Sequence, residues 1–153
     1  MDWFAKAFIK ASLAWLVLGV TLGVAMAAHA PWSVFRPAHL HMLVLGFVTM
    51  MISGVAYHVV PRFVGAPLYS RRAPVWHWFA SNIGLACMAT GFVLRALGMA
   101  SGTAVLATGG ILSAAGAYTF AYVLWRTMDV SAGKQSVAVP LQRSAPGVGR
   151  TTA

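Results

Sequence analysis

The chain has 153 residues, of which 59% are hydrophobic and only 8% charged, with a mean hydropathy of +0.76. A soluble domain carries about a quarter charged residues, so a soluble globular fold is excluded, and the single cysteine, Cys87, excludes a disulfide framework and a cysteine-based zinc site. The net charge of +9 does not point to nucleic acid: the basic residues sit at the ends of apolar segments, where they orient a chain in a bilayer and meet anionic lipid.

Four apolar segments are long enough to cross ~30 Å of hydrocarbon as helices. They cover residues 5–28, 37–60, 74–97 and 103–126. The expected fold is therefore an all-α membrane protein with four transmembrane helices running up and down. The first segment resembles a cleavable signal peptide, with Lys6 and Lys10 before an apolar run and Ala28-His29-Ala30 after it. Its length and its Gly19-x-x-x-Gly23 pattern favour a retained, packed helix. Pro37 suits the first turn of the second span and Pro61 is expected to stop it. Pro74 plays the same opening part in the third span, and Gly98 with Gly102 brackets the turn to the fourth. Small residues at Gly84, Gly91 and Gly98, and at Gly109, Ser113 and Ala117, form stripes that let helices approach. Residues 1–127 form one domain, and residues 128–153, rich in Ser, Gly and Pro, read as a disordered cytoplasmic tail.

With four spans the N-terminus, the second loop and the tail share one side. That side holds Lys6, Lys10, Arg62, Arg71, Arg72, Arg126, Lys134, Arg143 and Arg150, and the other holds only Arg36 and Arg95. The positive-inside rule places both termini in the cytoplasm of a bacterial inner membrane.

Ionisable groups inside a membrane helix are costly and point to function. His39 and His41, in Arg36-Pro37-Ala38-His39-Leu40-His41, open the second span near its outer end, and a histidine there points first to a metal or a haem iron. Two positions apart on a helix, they diverge by roughly 200°, so each needs its own partner. Gly46, two turns deeper than His39, is expected to leave room for a flat macrocycle. His58 lies roughly 28 Å from His39 at the inner end, and His77 belongs to the same inner group. They are either aromatic-belt anchors or a second inner site, for a haem or for a quinone headgroup near Arg62, Arg71 and Arg72. His29, beside Trp32, reads as a solvated outer-loop residue, Asn82 as a bridge between helices, and the methionines as filler.

The run Arg36-Pro-Ala-His39-Leu-His41-Met-Leu-Val-Leu-Gly46-Phe, continuing to Gly54-Val-Ala-Tyr57-His58-Val-Val-Pro61-Arg62, resembles the second helix of subunit I of haem-copper oxidases and nitric oxide reductases. Trp76-His77-Trp-Phe-Ala-Ser-Asn82-Ile-Gly84 also resembles short four-helix homologues of that subunit. The resemblance covers residues 36–98 and implies one four-helix arc of a fold built from three such arcs. It implies that His39 is an axial ligand of a low-spin haem b near the outer face, with Arg36 and Arg95 as partners for its propionates. The HxH resembles the pair on the family's tenth helix whose members serve two different haems. Three copies are therefore expected to close into a ring, with haem between His39 of one protomer and His41 of the next. The histidines of the family's copper centre have no counterparts, so no copper and no stand-alone oxygen reduction are expected. The expected function is electron transfer to or from a quinone or cytochrome partner. The alternatives are a haem-based sensor or binder of nitric oxide or oxygen, and a non-catalytic subunit or assembly factor of a respiratory complex.

Overall fold

A computed structural model describes residues 2–137 of the chain, with side chains through residue 130. Four long helices account for nearly all of it: α1 (Trp3–Ala28), α2 (Ala30–Phe63), α3 (Ala73–Ala96) and α4 (Ser101–Val137). Each contains a window long and apolar enough to cross a membrane, so the protein is a multi-pass membrane protein. The helices run up and down. Asp2, before α1, pairs with Arg71 of the α2–α3 loop at 2.7 Å. In the same loop the Tyr69 backbone N–H donates to Thr127 Oγ1, near the far end of α4. These contacts gather the start of α1, the α2–α3 loop and the α4 segment around Thr127 at one end.

Both turns that leave α2 and α3 have a physical cause in glycine. Gly65 and Gly98 adopt φ of 62° and 75°, which a side chain disfavours. After α2, the Gly65 N–H reaches the Arg62 carbonyl and the Ala66 N–H the Pro61 carbonyl; after α3, the Gly98 N–H reaches Arg95 and the Met99 N–H reaches Leu94. This is the double closure that satisfies the last carbonyls of a helix. Pro61 therefore does not stop α2, as expected, but lies inside its last turns, where its carbonyl serves the cap. The fourth helix also outruns expectation. No proline interrupts residues 101–137, and the helix continues to Val137, through a stretch expected to belong to the tail. The side chains of Lys134, Arg143 and Arg150, and all of the tail after residue 137, lie outside the described residues.

The departure that matters most is inside α2. It opens as a 3-10 turn (Ala30–Phe35), becomes α-helical over Arg36–His41, widens to π geometry over Met42–Thr49 and returns to α over Met50–Phe63. Thr49 Oγ1 donates to the Val44 carbonyl five residues back, at 2.8 Å, within the widened turns. Such insertions are rare and concentrate at functional sites.

The closest pair of helices is α3 and α4. A Cβ on Gly84 would stand 2.5 Å from Ser113 Oγ and 2.7 Å from Ser113 N, and one on Gly109 would stand 2.6 Å from the Gly84 carbonyl. Gly91 meets the Leu106 backbone, and Gly116 meets Ser81 and His77. On α4 the contact stripe is thus Gly102, Gly109 and Gly116, seven apart, with Ser113 beside it; Ala117 is exposed and Gly98 belongs to the turn. Substituting Gly84→Ala should push the helices apart and cost about 1–3 kcal/mol. Gly110→Ala, with nothing within 4 Å of the added carbon, should be neutral or slightly stabilising. Thermal unfolding of the two variants in detergent checks the contrast; equal melting temperatures would contradict this packing.

Candidate functional site

At the end of the bundle away from Asp2 and Arg71, α2 places His39 and His41 on different flanks. Arg36–His41 is regular α-helix, so the divergence expected for neighbours two apart survives. His39 turns toward α1. Its Nδ1–H donates to the Gly19 carbonyl at 2.8 Å, and its Cε1 lies where a Cβ on Gly23 would stand, at 2.8 Å. The Gly19-x-x-x-Gly23 pair is therefore the seat of this imidazole and of Leu43, which abuts Gly19. His39 and Arg36 line one groove of about 370 Å³ with Gly23, Met26 and Leu40.

His41 turns toward α3, with its ring 4.9 Å from that of Phe92. Its Nδ1–H donates to the Pro37 carbonyl one turn back, at 2.8 Å. It borders a separate groove of about 210 Å³ with Leu40, Val44 and Leu45. A carbonyl only accepts, so in both imidazoles the hydrogen sits on Nδ1 and the neutral ring keeps its lone pair on Nε2. Metal-binding histidines are commonly oriented this way, the second ring nitrogen donating to a backbone carbonyl.

One expectation about this end needs correction. The space over Gly46 is not open to a macrocycle: an added Cβ would meet Trp15 Cβ at 2.6 Å and Leu85 Cδ2 at 2.8 Å. Gly46 instead lets α1 and α3 close onto the π stretch from two sides. The start of the Arg95 side chain lies beside Gly102 in the first turn of α4, and Arg36 lines the His39 groove. His29 is exposed and stacks edge-on with Trp32 at 5.8 Å.

His58 and His77 are not brought together. His58 Nδ1 accepts from Arg62 Nη1 at 2.9 Å, one turn along the same helix on its exposed side. His77 is 2% exposed, in the middle of the bundle. Its Nδ1 shares a 3.0 Å hydrogen bond with the Tyr57 hydroxyl, and its ring lies 4.6 Å from Phe8 and 5.5 Å from Phe120. It thus touches α1, α2 and α4 at once. The aromatic neighbours in Trp76-His77-Trp78 suggested an interfacial anchor, but only Trp76 is strongly exposed there. Asn82 does bridge helices: Trp15 Nε1 of α1 donates to its Oδ1 at 3.1 Å, and its amide donates to the Trp78 carbonyl. Among the described residues no group of three or more His, Cys, Asp and Glu comes together to hold a bare metal ion.

The separation of His58 and His77 has a measurable consequence. His77→Ala should lower stability by about 2–4 kcal/mol through a cavity and an orphaned Tyr57 hydroxyl, whereas His58→Ala should stay within about 0.5 kcal/mol. Chemical denaturation in mixed micelles reads both, and equal losses would contradict the placement. No protein-family model matches the chain and no curated protein matches it, so His39, His41 and the buried His77 are the candidates that its own geometry provides.

Proposed function

We propose that the protein is a b-type cytochrome of the bacterial inner membrane, with both termini in the cytoplasm, that holds haem through His39 and His41 and transfers electrons. The observation that carries this reading is the matched preparation of the two imidazoles. Each spends its Nδ1–H on a backbone carbonyl, which leaves Nε2 as the ligand atom, and each borders its own groove on opposite flanks of α2. The π stretch that starts at the residue after His41 adds support, because such irregularities gather at functional sites. The likeness of the second and third helices to subunit I of haem-copper oxidases points the same way.

The two flanks are unlike. The His39 flank carries Arg36, suited to pair with a carboxylate such as a haem propionate, and the His41 flank offers the apolar wall of Val44 and Leu45. Unlike flanks favour head-to-tail contact, and three copies closing as a ring would set His39 of one protomer against His41 of the next. Iron held by two imidazoles supplies one-electron exchange and has no open position for a substrate. The chain's own part is to fix the ring tautomers, seat His39 against Gly23 and keep the flanks apolar.

The purified full-length protein should show a low-spin spectrum with a sharp alpha band on reduction. His39→Ala and His41→Ala should each abolish it. Co-expression of the two variants should restore about one haem per mixed ring, since one junction then has both ligands. A colourless wild-type protein would reject haem binding. Rapid carbon monoxide binding by the reduced protein would reject bis-histidine ligation in favour of a gas-binding role. Haem in a monomer would reject the ring alone.

A further inference from the structure

The end of the bundle that carries Asp2 and Arg71 holds a cleft of about 330 Å³, walled by the start of α1, the end of α2 and the α2–α3 loop. Its floor is apolar: the buried rings of Phe4 and Tyr57 meet edge to face at 5.9 Å, and Leu68 of the loop lies beside them. Its rim is charged, with Asp2, Arg62 and Arg71. The loop wall is held at three points. The Ala66 N–H donates to the Pro61 carbonyl at 3.1 Å, the Tyr69 N–H to Thr127 Oγ1 at 3.0 Å, and the Ala73 N–H to Ser70 Oγ at 3.2 Å. The cleft is therefore preformed, which lowers the cost of filling it. Arg62 Nη1 donates to His58 Nδ1 at 2.9 Å and to the His58 carbonyl, and Arg71 Nη2 donates to Asp2 Oδ1 at 2.7 Å. A guanidinium has five N–H donors, so among the described residues each arginine keeps its other nitrogens for a ligand. Arg62 stands one residue before the end of α2, and Arg71 two residues before the start of α3. The cleft thus lies where these spans leave the hydrocarbon, at the depth of lipid headgroups.

We propose that this cleft binds the phosphate group of an anionic phospholipid. Arg62 and Arg71 take the phosphate oxygens, and the glycerol and first acyl carbons lie on Phe4, Tyr57 and Leu68. Guanidinium groups match phosphate oxygens in geometry as well as charge. Basic pockets between transmembrane helices suit anionic headgroups for the same reason. Two guanidinium groups against one carboxylate leave the cleft one positive charge, the complement of a phosphodiester. The Asp2–Arg71 pair is exposed and contributes little stability by itself. Its part here is to steady Arg71 at the rim. A free phosphate ion shares the polar half of this chemistry but leaves the apolar floor uncovered. A zwitterionic lipid covers the floor but brings a cation against the two arginines. Nothing in the cleft depends on haem at the other end of the bundle.

Native mass spectrometry of the full-length protein, released from detergent after incubation with phosphatidylglycerol, phosphatidylcholine or inorganic phosphate, tests the site. The wild type should retain one phosphatidylglycerol per chain, with about tenfold preference over phosphatidylcholine. Arg62→Gln combined with Arg71→Gln should remove that preference. Arg72→Gln, at an exposed arginine of the same loop that does not line the cleft, should keep it. Pro67→Trp, at an exposed position that lines the cleft, should block retention with every charge intact, and serves if the double variant fails to assemble. Inorganic phosphate retained where neither lipid is held would overturn the lipid as ligand. Equal retention of the two lipids would overturn the site. So would a loss in Arg72→Gln equal to that in the double variant, because a diffuse basic surface gives the same result.

Discussion

Helices in lipid gain little from burying apolar surface against one another, so a bundle is held by close packing and by polar contacts between helices. Here both devices converge on His77. Its ring is sandwiched by aromatic residues of α1 and α4, its Nδ1 is joined to Tyr57 of α2, and it sits against Gly116 in the closest helix pair of the molecule. A buried imidazole without its partner would leave an unsatisfied polar atom, which is expensive in a low-dielectric interior. The hydrogen bond to Tyr57 therefore fixes how α2 and α3 are rotated about their axes. That rotation in turn presents His39 to α1 and His41 to Phe92.

Much of this was legible in the chain. The four spans follow from hydropathy and length alone, because the bilayer demands about twenty apolar residues per helix. The glycine turn at Gly98 and the opposed directions of His39 and His41 follow from local geometry. The bridging role of Asn82 was also readable, since an amide at membrane depth needs partners on a neighbouring helix. What misled was the aromatic company of His77: Trp76-His77-Trp78 has the composition of an interfacial belt, and which of three adjacent residues turns inward depends on where α3 meets Tyr57. On α4 a spacing of seven, Gly102, Gly109 and Gly116, was present but was masked by the four-residue spacing of Gly109, Ser113 and Ala117. The same seven-residue spacing on α3 was the available signal, because two helices that pack along their length should share a repeat.

The wide turns of Met42–Thr49 could not be read at all. Sequence periodicity assumes a constant number of residues per turn, and a π stretch changes it without any signature residue. Gly46 looked like an empty place because a missing side chain is ambiguous: it admits a ligand or a neighbouring helix equally well. Trp15 and Leu85 take it, from opposite helices, and neither lies near it in sequence. The candidate site is thus legible in its two histidines and illegible in its surroundings.

The His39–Gly19 contact also bears on the order in which the molecule comes into being. A chain is made N-terminal end first, and the groups that orient His39, Gly19 and Gly23, belong with it to the first hairpin. Phe92, against which His41 rests, and Leu85, which closes on Gly46, arrive only with the third helix. The surroundings of the two imidazoles therefore complete in sequence during synthesis. The first is oriented by a newborn pair of helices; the second, already held at Nδ1 by Pro37 of its own helix, gains its ring contact only when Phe92 is synthesised.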